Sequence, residues 1–163
     1  MDIASSAKPG KMKKLILLAF LLTPLLSIQS TCQSDKLPAK LLEQLNSAEK
    51  EMLRALSSGD SSAFKKIAGY DYLDINADGT KKTLQAMLVD IPSFKGMSVN
   101  FSDQSQRVYG SFVLRNGRAR FFSGDQVVGE VLYTQGWVYR DNKWQFVHWQ
   151  GTVTKDFLEG KKQ

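Results

Sequence analysis

Trp137-Val138-Tyr139-Arg140-Asp141-Asn142-Lys143-Trp144-Gln145-Phe146-Val147-His148-Trp149-Gln150-Gly151-Thr152 decides the architecture of this chain. Asp141-Asn142 is a turn signal between two runs rich in Val, Tyr, Phe and Trp, so the stretch predicts a long β-hairpin, residues 127–140 against 143–154. Side chains alternate across a strand. Simple alternation puts Tyr133, Gln135, Trp137 and Tyr139 on one face, and Leu132, Thr134, Gly136 and Val138 on the other. On the last strand it groups Gln145, Val147 and Trp149 against Trp144, Phe146, His148 and Gln150. Both faces carry large aromatic rings, so one packs under helices and the other needs a cover. The covered face predicts a cavity lined by Tyr133, Gln135, Trp137 and Trp149, joined by Tyr72 from upstream. The opposite face, with Trp144, Phe146 and His148, predicts a homodimer interface, and Phe146→Asp is then expected to give a soluble monomer.

Upstream, Asn116-Gly117 predicts a second hairpin, residues 107–114 against 118–122, and residues 97–101 read as a further strand. Before these the rhythm is helical. Leu41, Leu42, Leu45, Ala48, Met52, Leu53 and Leu56 recur at helical spacing and predict a helix over 36–57. Asp60 is a natural cap for a short helix ending at Ala68, with Gly69 as its stop. Residues 70–76 read as a strand leading into the turn Ala77-Asp78-Gly79. Thr80 then caps a third helix over 81–90, closed by Pro92. Helices first and antiparallel strands afterwards define an α+β domain, with N-terminal helices packed on a curved antiparallel sheet.

The 163 residues, 42% of them hydrophobic, suit one such domain over 38–158, with a short stub at 31–37 and a frayed tail at 159–163. Half of the +6 net charge sits in the first 30 residues, so the domain itself is only mildly basic and no nucleic-acid partner is expected. Residues 11–30 have the parts of a secretory signal: Lys11, Lys13 and Lys14, an apolar run over 15–26, then a polar stretch. That run is shorter than the ~20 residues a span needs. Export with removal of residues 1–30 is therefore expected, to the periplasm or the outside. Met12 is as good a start as Met1. Cys32, the single cysteine, allows no internal disulfide. It would tie the protein to a membrane only if lipidated, and Gln29-Ser30-Thr31 fits that signal poorly.

Two stretches carry a family resemblance: the terminal hairpin quoted above, and Tyr70-Asp71-Tyr72-Leu73-Asp74-Ile75-Asn76-Ala77-Asp78-Gly79. Together they resemble the nuclear transport factor 2-like superfamily, also called the SnoaL-like or cystatin-like cone, in its branch of exported domains. The resemblance implies a cone-shaped fold and leaves function open, because this cone hosts isomerases, dehydratases, cyclases, binders and oligomerisation modules. In the ketosteroid isomerase branch a catalytic Asp closes the strand before the third helix; the matching position here is Asn76, which is no base. In the kinase II association domain, pocket arginines fall at positions matching Gln135 and Gly151.

Other motifs are weak. Asp74, Asn76, Asp78 and Gly79 fit half of a calcium loop, but its twelfth position is Gln85, and Lys81 and Lys82 lie beside it. His148 is the only histidine and no cysteine pair exists, so neither a metal site nor a cofactor is expected. Arg107, Arg115, Arg118 and Arg120 read as a solvated edge around the predicted hairpin. The function these residues favour is binding of a small neutral or apolar molecule in the cavity. A structural dimerisation module without ligand is one alternative. An isomerase- or dehydratase-type enzyme, with Asp74 or Asp71 as base, is the other.

Overall fold

The computed structural model describes residues 36–160, so the leader and Cys32 lie outside the described residues. Helix α1 spans Ala39–Ser58 and α2 spans Ser61–Ile67. A six-stranded sheet follows, built from β1 (Ala68–Ile75), β2 (Lys81–Thr83), β3 (Met97–Tyr109), β4 (Phe112–Ser123), β5 (Gln126–Arg140) and β6 (Lys143–Val153). Helix α3 (Leu84–Asp90) and a 3-10 turn (Ile91–Phe94) lie between β2 and β3, and α4 (Lys155–Gly160) follows β6. The strand order is β2-β1-β6-β5-β4-β3. Every neighbouring pair is antiparallel except β1 with β6, which run parallel. The α+β expectation stands, with that one parallel pair added.

The helix boundaries follow local chemistry. At the end of α1 the Gly59 N–H reaches Leu56 O and the Asp60 N–H reaches Ala55 O, both at 2.9 Å, closing the last carbonyls. Asp60 then caps α2, its Oδ1 accepting the Ala63 N–H at 2.9 Å. The third helix begins later than predicted. Thr80 does not cap it, because the Thr80 hydroxyl donates to Asp78 and accepts from the Asn76 amide. Residues 81–83 instead fold back along β1 as β2, with Lys82 directly opposite Asp74.

Asn116-Gly117 is not a turn. Both residues lie inside β4, with Asn116 paired to Ser105 and Thr134. The chain reverses at Gly110-Ser111, inside the predicted strand 107–114, so residues 97–109 form one long β3 and residues 112–114 begin β4. Gly117 serves a different purpose: a Cβ there would sit 2.7 Å from the Ser102 carbonyl oxygen, where β3 bulges toward it.

A second bulge decides which side chains face the core. Gly136 stands opposite His148 but Trp137 stands opposite Phe146, so β6 carries one extra residue at Val147. One inserted residue reverses the alternation of everything before it. Trp144 and Phe146 therefore share the inner face with Trp137 and Tyr139, and Trp149 joins the same face beyond the bulge. Trp144 is 4% exposed and donates its indole N–H to Leu41 O at 3.0 Å, while Phe146 is 3% exposed. The Phe146 ring packs on Trp137 at 4.9 Å, Tyr72 at 5.3 Å and Phe64 at 6.3 Å. The assignment of Trp144 and Phe146 to an exposed dimer face is thus overturned: the chain's own helices cover them. His148 alone of the three lies on the outer face, half-buried.

Candidate functional site

A cavity of about 150 Å³ opens between α1, α3, β1 and the inner face of the sheet. Met52, Leu53 and Leu56 come from α1 and Met87 from α3, while Phe146 and Trp149 of β6 supply aromatic walls. Almost all of its polarity comes from one strand. Tyr72, Asp74 and Asn76 sit at alternate positions along and just past β1 and all face the cavity.

Asp74 is the unusual member. It is 4% exposed, and its Oδ1 has no hydrogen-bond partner. Burial raises its pKa from 3.8 to about 6; the charge of Lys82 opposes the shift and that of Asp90 adds to it. The cross-strand neighbour Lys82 would be the natural counter-ion, but its ammonium lies 2.6 Å from Asp90 of α3. Asn76 donates its amide to Thr80 at 2.9 Å, and burial holds the Tyr72 phenol well above its usual pKa. A carboxyl that titrates near neutrality against an apolar cavity can both take up and release a proton.

This arrangement has a stability consequence with a definite sign. Asp74 binds its proton more tightly folded than unfolded, so its contribution falls as pH rises from about 4 to about 6 and stays unfavourable above. Asp74→Asn is expected to stabilise the domain at pH 7 by about 3 kcal/mol and to come close to wild type at pH 4. Urea unfolding of both proteins at the two pH values measures the difference.

The five side chains predicted to line the cavity divide. Tyr72 and Trp149 line it. Tyr133 lies behind Trp149, stacked at 5.0 Å and 6°, with its hydroxyl accepting from Gln104 at 3.0 Å. Gln135 and Trp137 are fully buried away from the cavity; Gln135 donates to Glu49 while its own Oε1 and the Trp137 Nε1 lack partners. Asp71, the other candidate base, lies at the opposite parity to Asp74. Arg140 holds it with two hydrogen bonds of 2.5 and 3.0 Å, chiefly through which its pKa is lowered. It is a surface ion pair and no base.

The arginines are not a uniform solvated edge. Arg115 is 2% exposed and donates to Glu49 at 2.8 Å, Asn46 at 2.6 Å and Gln106 at 3.3 Å, tying α1 to the sheet. Arg118 and Arg120 both grip the Glu130 carboxylate, which Arg120 first, then Thr154 and Arg118, hold at a pKa of about 2. The alternation of Val113 and Arg115 along β4 carries a signal of the inward arginine, because Val113 is a core residue. Glu49, its partner far off in the chain, leaves no such mark.

No protein-family model matches this chain, and no curated protein matches it. Solved structures do. An NTF2-like protein of Cytophaga hutchinsonii superposes with a TM-score of 0.61 at 17% identity, covering 72% of this chain and 100% of that one. A protein of unknown function with a cystatin-like fold from Nostoc punctiforme gives 0.63 at 12% identity, covering 74% and 96%. An NTF2-like family protein of Streptomyces avermitilis, provisionally named a dehydratase, gives 0.62 at 13% identity, covering 72% and 99%. The fold is the NTF2-like, cystatin-like one, in agreement with the resemblance read from the two sequence stretches. Within that class the chain is defined by an apolar cavity with a single buried carboxyl on β1.

Proposed function

We propose that this domain binds a compact, neutral, largely apolar molecule in the β1 cavity and moves a proton on it, with Asp74 as the acid-base group. The observation that carries the reading is the buried, partnerless Asp74 Oδ1 at the cavity wall. A buried carboxylate oxygen with no protein partner is free to meet a proton on a molecule seated in the cavity. The volume of about 150 Å³ bounds the ligand's size. A cavity of that order holds a single benzene-sized ring, and the apolar walls favour a hydrocarbon body with one polar edge turned toward β1. Isomerase- and dehydratase-type reactions both begin with such a proton removal beside a carbonyl, and the pKa of about 6 leaves Asp74 mostly ionised at pH 7 as the base. The Streptomyces avermitilis neighbour's provisional dehydratase name is compatible with this class of chemistry.

The test uses one-ring ketones such as cyclohexanone in deuterated buffer. Binding is expected to change the fluorescence of Trp149, with Trp149→Phe as control, and the ring hydrogens next to the carbonyl are expected to exchange. Asp74→Asn should bind comparably and lose exchange by about a hundredfold or more. Binding with no exchange above the buffer rate would remove the enzymatic part and leave a binding protein. Absence of binding across the panel would remove both.

A further inference from the structure

Strand pairing places Lys82 of β2 directly opposite Asp74 of β1. Directly opposed side chains have Cβ atoms about 5 Å apart, well within the reach of a lysine stem. Left to itself such a pair would form an ion pair and fix Asp74 as a plain carboxylate. The Lys82 ammonium instead lies 2.6 Å from the Asp90 carboxylate, at the end of α3. Asp78, in the turn between the strands, adds its field to Lys82 but is itself held by Thr80. From its own strand Asp74 shares the cavity with Tyr72, which stays protonated; what α1 and β6 contribute to that cavity is the uncharged set Met52, Leu53, Leu56, Phe146 and Trp149. Lys82 is therefore the one cation placed to pair with it among these neighbours, and Asp90 decides where that cation goes.

We propose that Asp90 is a positioning residue for Asp74: by holding the Lys82 ammonium on α3 it withholds from Asp74 the counter-ion that the β1–β2 pairing supplies. The inference rests on the reading of Asp74 as the proton-handling group. Its consequence is that the cavity keeps a protonatable carboxyl that Lys82 reaches only by its field and not as an ion pair, which also suits a neutral ligand over an anionic one. The division of labour lies outside the cavity lining, in the ladder and the end of a short helix.

The carboxyl carbon of Asp74 can be followed by NMR through a pH titration in four proteins: wild type, Asp90→Asn, Lys82→Met and the double variant. Wild type is expected near pH 6. In Asp90→Asn the freed lysine should lower the midpoint by one unit or more, about a tenfold loss of proton affinity. Lys82→Met should titrate at or above wild type, and the double variant should fall below Lys82→Met only by the small direct contribution of the Asp90 charge, staying well above Asp90→Asn. Asp90→Glu, which keeps the ion pair, should keep the wild-type midpoint. An unchanged midpoint in Asp90→Asn overturns the proposal while leaving Asp74 as read. A double variant that titrates as low as Asp90→Asn also overturns it, since Asp90 would then act wholly by its own field and not through Lys82. A wild-type midpoint in the ordinary carboxylate range overturns the reading of Asp74 itself, and the proposal with it.

Discussion

Phe146→Asp is expected to unfold the domain, with loss of the far-UV circular dichroism of the native protein and no soluble folded monomer. The Phe146 ring sits between Phe64 of α2, Tyr72 of β1 and Trp137 of β5, so it is the point where helix layer and sheet meet. Truncating such a ring to Ala costs about 3–5 kcal/mol through lost transfer energy and the cavity left behind. A carboxylate in the same place adds the penalty of a buried, unpaired charge, several kcal/mol more. Domains of this size hold only about 5–15 kcal/mol in total. Leu132→Asp is the control, because Leu132 lies on the outer face at 54% exposure and its loss should stay within about 0.5 kcal/mol. A folded Phe146→Asp protein with native-like unfolding would mean that the Val147 bulge does not place Phe146 inward.

The second large effect belongs to Glu49. Glu49→Ala is expected to cost about 3–5 kcal/mol, because it leaves the Arg115 guanidinium buried against the sheet without its counter-ion. Gln135 and Gln104, which donate to the same Glu49 carboxylate, lose an acceptor as well. Removing both charges behaves differently. Glu49→Leu combined with Arg115→Met should cost clearly less than Glu49→Ala alone, about 1–3 kcal/mol, because the buried charge is gone and what remains is the Gln135 amide left without its acceptor. Urea denaturation of Glu49→Leu, Arg115→Met and the double gives the coupling directly. Equal costs for the single and the double would show that Arg115 is not dependent on Glu49.

How far the sequence could be read depended on whether the deciding interaction was local. The helix periodicity of α1, the Asp60 cap and the Asp141-Asn142 turn are properties of neighbouring residues, and each appears where the sequence places it. Asp141 and Asn142 both take positive φ, 53° and 59°, as a two-residue hairpin turn requires. Tyr72, read as a cavity residue, and Asp74, read as one of two candidate bases, stand two positions apart on β1 and both line the cavity. Failures began where one residue's role depended on a distant strand. Gly117 is a glycine because the Ser102 carbonyl approaches it, and that approach has no trace in the residues beside Asn116. The bulge at Val147 is set by pairing with β5, so simple alternation misplaced Trp144 and Phe146 while assigning Trp149 correctly. Arg115 was grouped with its neighbours by charge, although its partner lies on α1.

The parallel pairing of β1 with β6 also sets an order of events during folding. Strands β3 to β6 follow one another through short reversals and can zip together as they are made. The Asp74–Trp149 pairing joins residues about 75 positions apart, so its loop-closure entropy is far larger than that of any step within the meander. Until β6 has left the ribosome, the strand bearing Tyr72 and Asp74 has no parallel neighbour to dock on. The carboxyl therefore spends the early stages of biogenesis in water, as an ordinary anion. It acquires its tighter hold on a proton only when the final strand closes over it. Proton uptake by this one side chain, followed by stopped-flow at pH 5, would then time the docking of β1 separately from the formation of the meander.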